Sequence, residues 1–470
     1  MAAAGAAGML SQTENGGTVT VLEKMQKPGR KIMISGKGRC NFTNVKEWND
    51  FEEHVRSGAA FLNPSFRNLT PVDMVEFLRA NGLRSVVERG DRAFPQSGRS
   101  GDVVDTLVRA CTLNGVKIVT GCVVDKIEQG TRGFRLHCTQ TTVKEFRRRD
   151  DESRQRKPGR VETTVEKTVY VCSKLIIATG GLSYPWTGSS GDGFGWASDF
   201  GHNIESCLPS LTAIVPEGYK DPDGRGDFRH RDGAADKINP LPENYPVLKG
   251  HIERITPLSQ LGDMLCGNSL DNVRINLFVD GKEVQSEFGD IEFTDGGIEG
   301  PVGFQVSRRA VRAIANGSKV SIELDLKPAV ELEKLDADIH ERWEEVLRDP
   351  RSRGVSFQKL FRIMLGKLIP WDVTSGFLKC NPQVSVDTLA AALKSWKFEI
   401  AGFVGFERAV VTSGGVALDE VVAKTLESKK VPSLYFCGEV LDLDCDTGGY
   451  NMHAAFATGY LAGQSAAKSL

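Results

Sequence analysis

Two periods run through the pattern of apolar and polar positions in this chain. Residues 71–83 place apolar side chains at helical spacing (Val72, Met74, Val75, Phe77, Leu78), and 101–115 repeat it with Val103, Val104, Leu107 and Val108. Both predict amphipathic helices. Short β-branched or apolar runs predict strands at 18–22, 116–120 and 134–137. The runs 170–178 and 431–437 are apolar without alternation, which predicts strands buried on both faces. Strand and helix signals of this kind occupy 1–204 and return over 405–470, as in an α/β fold with parallel strands.

Between these parts the texture changes. Residues 218–250 are polar and rich in Gly, Pro and Asp, which predicts a long loop. Strands are predicted at 272–280, 290–294 and 319–325, with a turn at Asp280-Gly281, and 329–395 has helical periodicity. Trp343, Val346 and Leu347 fall on one predicted helix face, and a second helical segment spans 355–368. The prediction is a discontinuous α/β domain, 1–204 with 405–470, interrupted by a β-rich module at 205–328 and a small helical module at 329–404. A charged stretch at 144–167 carries both signs and predicts a solvated hairpin tip rather than a nucleic-acid arm.

Charge and cysteine usage narrow the function class. With 59 basic and 61 acidic side chains the formal charge is −2, which disfavours a general polyanion binder. Ten cysteines occur without a CxxC pair, so neither a zinc site nor a disulfide scaffold is expected, and reduced thiols in a cytoplasmic protein are. No apolar run approaches the length of a bilayer span, and the first residues lack the basic start of a signal peptide. No membrane or nucleic-acid partner is expected, and no metal.

Glycine is the outlier in composition. The 50 glycines in 470 residues exceed the typical share of about 7%. Ala3 to Gly8 form a Gly/Ala-rich run ahead of the strand that ends in Glu23. A Gly-rich turn, a helix, a strand and then an acidic residue is the order of a dinucleotide-binding βαβ unit. Here the preceding strand is absent, the first glycine of the motif is Ala3, and little room is left for the crossover helix. Three further glycine blocks follow strands or stand near their ends: 36–44, 178–181, and 438–451. Bare amides at the carboxyl ends of parallel strands suit a long cofactor such as FAD. Asp442 would hydrogen-bond its ribityl or phosphate side. Gly448-Gly449 ahead of a helix would offer amides and a positive dipole end to the pyrimidine side of the ring.

The run 27–44 (KPGRKIMISGKGRCNFTN) resembles the hallmark of the bacterial BaiN/YhiN-like NAD(P)/FAD-dependent oxidoreductases, which include aminoacetone-oxidase-like flavoproteins. So do RAFP at 92–95, ATGGLSYP at 178–185, FTDGGIEGP at 293–301, VTSGGV at 411–416 and GEVLDLDCDTGGYN at 438–451. The resemblance covers nearly the whole chain. It implies a Rossmann-like FAD domain in two parts, with FAD held by Gly5, Ala7, Gly8, Glu23, Lys24, Lys31, Gly36, Gly38, Arg39, Cys40, Asn41 and Thr43. From later blocks it implies Thr179, Gly180, Gly181, Gly438, Glu439, Asp442, Gly448, Gly449, Tyr450 and Asn451, and Val123 or Val124 beside the adenine. The departure at the N-terminus leads to the expectation of a shortened start or of weakened FAD affinity.

The resemblance also implies hydride transfer between flavin N5 and a small organic substrate, by enone reduction or amine oxidation, with NAD(P)H as a transient donor. A flavoprotein that modifies tRNA and a non-catalytic remnant are the alternatives. Catalytic candidates are Arg39 (anion binding), Cys40 (a flavin-adjacent thiol or a packed residue), Tyr184 (substrate face) and His453 (proton donor or packing). Cys437 and Cys445 form a redox pair or pack as small residues.

Overall fold

The computed structural model describes residues 1–10, 17–146, 160–221 and 248–469. The centre of the charged stretch at 144–167 and most of the loop expected at 218–250 lie outside them. The chain divides into two compact units, Met1–Cys207 with Ser413–Leu470, and Leu208–Thr412.

The first unit carries the parallel strands. Thr20–Glu23 pairs in parallel with Lys117–Thr120, and Leu175–Ile177 with Leu434–Phe436. These are separate two-stranded sheets among the described residues, so the central sheet of a Rossmann fold is present as two parallel pairs. An antiparallel meander of Cys122–Gly130, Gly133–Phe146 and Arg160–Cys172 follows. The run 170–178, expected as one strand, is therefore two. Residues 170–172 end the meander, where the bare Gly133 packs against the Cys172 carbonyl, and the parallel strand starts at Leu175. The expected helices appear as Pro71–Ala80, with a Thr70–Asp73 capping box, and as Ser100–Leu113.

The Gly/Ala run at the N-terminus is a helix, Ala2–Leu10, and not a turn ahead of one. Alanine is the best helix former, and a mid-helix glycine costs about 1 kcal/mol against it. That cost is offset by close packing on the C-terminal helix Tyr450–Lys468. A Cβ on Gly5 would lie 2.5 Å from the Tyr460 carbonyl oxygen, and one on Gly463 would overlap the Ala2 carbonyl.

The second unit is built on a closed six-stranded barrel in the order Ile214–Pro216, Gly297–Glu299, Lys282–Thr294, Ser269–Val279, Val320–Asp325, Trp396–Phe403. The Asp280-Gly281 turn joins Val279 to Lys282 with both residues at positive φ, the geometry of a tight two-residue hairpin. Four α-helices, Leu332–Arg348, Phe357–Leu365, Thr374–Cys380 and Val386–Lys394, lie in sequence between the last two strands and share the barrel's apolar core. Trp396 is fully buried there against Phe293, Phe377 and Phe398. Val346 faces this core, but Leu347 is exposed, because adjacent helix positions point about 100° apart. No helix among the described residues is long and apolar enough to cross a membrane.

Candidate active site

The loops that leave three parallel strands meet. Lys31, on the short helix Arg30–Ile34 beyond the first strand, donates to Ser183 Oγ (2.5 Å) and Glu439 Oε2 (2.5 Å). Ser183 Oγ donates to Glu439 Oε1 at 2.6 Å. Ser183 follows the strand Leu175–Ile177, and Glu439 follows Leu434–Phe436. Lys24, next to Glu23, adds an ion pair to Asp192 at 2.7 Å. These bridges gather the carboxyl ends of the strands, where open α/β sheets bind their ligands. Lys24, Lys31 and Glu439 are among the residues that the family resemblance implies. Ser183 and Asp192 are not, because a serine or aspartate in a glycine-rich loop carries no signal of its partner.

The glycine blocks share a left-handed backbone geometry. Gly36, Lys37, Gly38 and Cys40 all have positive φ, as do Gly180, Gly438, Gly448 and Gly449. Gly449 is the most constrained. A Cβ there would lie 2.5 Å from the Thr43 carbonyl carbon and 2.8 Å from Asn41 Oδ1. Asn41 Oδ1 is itself buried with no hydrogen-bond partner, an open acceptor beside the turn. Asn451 spends its side chain on the loop before it, accepting from Cys445 N (2.8 Å) and donating to the carbonyls of Cys445 (2.7 Å) and Asp446 (3.0 Å). Asn44 Nδ2 holds the Gly448 carbonyl at 3.2 Å.

The carboxylates respond to burial. Glu23 is pushed above the usual range by burial, against the Met25 amide that donates to it at 2.7 Å. Asp442 is also raised, first by burial and then by Asp444 and Glu205 nearby. Gly5 and Ala7 are buried within the first helix, and Gly8 has open space beside it. Val123 and Val124 sit on the meander strand after the Gly121 turn. Thr179 and Gly181 lie in the 178–181 loop with Gly180.

The catalytic candidates divide. Arg39 is held by both oxygens of Glu88 and lies 4.3 Å over the Phe94 ring, so its charge is matched within the protein. Tyr184, at φ 50°, meets Trp186 edge-on at the loop after Gly181. His453 is fully buried, and burial pushes it down to about 3, so the ring is neutral across the physiological range. Its Nδ1 meets Thr43 Oγ1 at 3.0 Å, while Phe51 and Phe66 pack edge-on against the ring. Cys40 is inaccessible, and burial pushes its thiol up to about 11. No disulfide joins any of the ten cysteines, Cys437 and Cys445 included. Iodoacetamide at neutral pH should leave Cys40 unmodified in the folded protein and label it only after denaturation, as read by peptide mass spectrometry. Labelling of native Cys40 would return it to the candidate nucleophiles.

A family model described as the HI0933-like protein Rossmann domain matches residues 2–465. A ribosomal RNA dihydrouridine synthase of Escherichia coli (strain K12) is 28% identical over 472 residues, covering 99% of this chain and 97% of that protein. A 3-dehydro-bile acid delta(4,6)-reductase of Clostridium scindens is 25% identical, with 97% and 95% covered. Among solved structures, a 3-ketosteroid-delta4-(5alpha)-dehydrogenase from Rhodococcus jostii RHA1 aligns at TM-score 0.42 and 12% identity, over 99% of this chain and 94% of that one. With its Rossmann domain matched from end to end, the chain belongs to the HI0933-like family of FAD-dependent oxidoreductases.

Proposed function

We propose that this protein uses FAD to reduce a carbon–carbon double bond conjugated with a carbonyl, taking its electrons from NAD(P)H. The observation that carries the proposal is the meeting of the strand-end loops at Lys31, Ser183 and Glu439, with the glycine turn at 448–449 and its open acceptor on Asn41. A dinucleotide needs such amides and an unspent acceptor, and the residues present fit one. Glu23 would receive the adenosine ribose hydroxyls, Asp442 the ribityl side and Asn41 an N–H of the ring.

When bound, FAD supplies a two-electron hydride carrier; the protein supplies orientation and electrostatics. Lys31 balances the Glu439 carboxylate at the strand ends. Burial disfavours the imidazolium form of His453 and the thiolate form of Cys40. Two of the relatives support reduction by their names, one a delta(4,6)-reductase and the other a dihydrouridine synthase. Amine oxidation draws no support from either. A second reading, in which the reduced group is a uridine within RNA, is favoured by the Escherichia coli relative and disfavoured by the net charge of −2.

The protein purified with FAD should be yellow, and anaerobic NADH or NADPH should bleach its flavin band. A Δ4-3-ketosteroid and a uridine-containing RNA, offered in turn to the reduced protein, should give re-oxidation with one and not the other. Colourless protein that takes up no FAD would overturn the proposal and favour a remnant.

A further inference from the structure

Asp446 stands two residues before the Gly448–Gly449 turn, with its carboxylate buried. Arg56 Nε donates to Oδ1 at 2.6 Å, and Oδ2 accepts from Arg56 Nη2 and meets His54 Nδ1 at 3.1 Å. Main-chain bonds follow the same path. Asp446 N donates to the His54 carbonyl (2.8 Å), and Arg56 N to the Asp444 carbonyl (2.9 Å). Residues 54–56 thus form a strap across 444–446. The strap also reaches beyond the turn, because the His54 ring stacks on Tyr450 at 4.3 Å and 23°. Phe51 closes on Tyr450 edge-on at 4.9 Å. The turn is therefore held before and after its two glycines by one short segment.

A buried ion pair is a weak source of net stability, because desolvation of both charges offsets their attraction. What a bidentate arginine–carboxylate pair adds is direction, since its two parallel bonds fix both partners in a plane. Here the direction bears on the amides of Gly448 and Gly449 and on the first turn of the helix Tyr450–Lys468. Amides aimed at a site of changing charge act only if they are held in place beforehand.

We propose that Asp446 is a positioning residue for the cofactor: clamped by Arg56 and His54, it fixes the orientation of the Gly448–Gly449 turn toward the ring of FAD and thereby favours the reduced, negatively charged form. The proposal rests on the FAD site described above. It makes a prediction of sign. If the Asp446 charge itself acted on the flavin, its removal would relieve repulsion and raise the midpoint potential. If Asp446 acts by holding the turn, its removal weakens the reduced form more than the oxidised form and lowers the potential. Asp446→Asn also leaves the Arg56 charge uncompensated, which alone would raise the potential, so a fall reads the loss of the held turn.

The test is Asp446→Asn in the full chain, stripped of flavin and titrated with FAD by fluorescence quenching, followed by a potentiometric titration of the reloaded protein. Affinity for oxidised FAD should fall about threefold and for reduced FAD about thirtyfold, a tenfold difference that lowers the potential by about 30 mV. Arg56→Lys keeps the charge but loses the bidentate geometry, so it should shift the potential in the same direction by less; it carries the test if Asp446→Asn does not fold. Asp325→Asn, which removes the partner of Lys394 in the other unit, should leave FAD affinity and potential unchanged. An unchanged or raised potential in Asp446→Asn would overturn the positioning role, since a fold weakened in general loses both redox forms alike. Wild-type protein that binds no FAD would overturn the functional proposal instead.

Discussion

Gly449→Ala should weaken FAD binding by about a hundredfold or more, about 2.8 kcal/mol. The backbone there sits at φ 99°, ψ −8°, which an alanine adopts only under strain of about 1–3 kcal/mol. The added Cβ would also stand 2.5 Å from the Thr43 carbonyl carbon and 2.6 Å from its oxygen. Neither is a flexible side-chain tip, so the short strand Thr43–Asn44 has to shift. That shift carries Asn41, and with it the open acceptor, away from the turn. Fluorescence titration with FAD reads the effect directly. Gly448→Ala is the useful comparison, because its nearest neighbour is the Tyr450 ring at 3.0 Å and not backbone. A Gly449→Ala protein with wild-type affinity would remove this turn from the FAD site.

Gly463→Ala tests the packing of the two terminal helices, and its sign decides the matter. In an isolated helix the substitution stabilises by about 1 kcal/mol, because alanine is the better helix former. Here the new Cβ would overlap the Ala2 carbonyl oxygen and stand 2.8 Å from the Ala6 amide nitrogen. Overpacking against backbone costs about 1–3 kcal/mol, often with displacement of the lighter partner. The expected result is a net loss of stability in urea denaturation, accompanied by loosening of the helix Ala2–Leu10. A gain in stability would mean that this helix does not rest on Gly463 in solution.

Those glycines show where local reading of the chain reaches its limit. The composition of residues 3–8 fits a phosphate-binding turn and a close helix contact equally well. What separates the two is the small-residue face of a helix beginning at Tyr450, far away in sequence. Features set by neighbours were legible: the Asp280-Gly281 turn, the two amphipathic helices, and the strands followed by glycine blocks. The strand run at 170–178 looks continuous in the sequence because its apolar character does not stop at Ser173-Lys174, where the pairing partner changes from the meander to Leu434–Phe436. Within the site, Lys31 and Glu439 stand in recognisable blocks, but their bridge spans 408 positions and leaves no periodic trace. Arg56 was invisible for the same reason. Its segment carries no motif, and its meaning comes entirely from a carboxylate 390 residues on.

The division of the first unit also orders events during synthesis. Lys31, Thr43 and Arg56 leave the ribosome long before Glu439, His453 and Asp446, and residues 208–412 emerge in between. At roughly 5–20 residues per second, the early half waits on the order of ten seconds or longer for its partners. The barrel unit, continuous in sequence, is complete before that wait ends. The first unit is then closed by a segment that brings the glycine turn, the strap's carboxylate and the last parallel strand together, so a cofactor held at the proposed site would enter only at the final stage of folding.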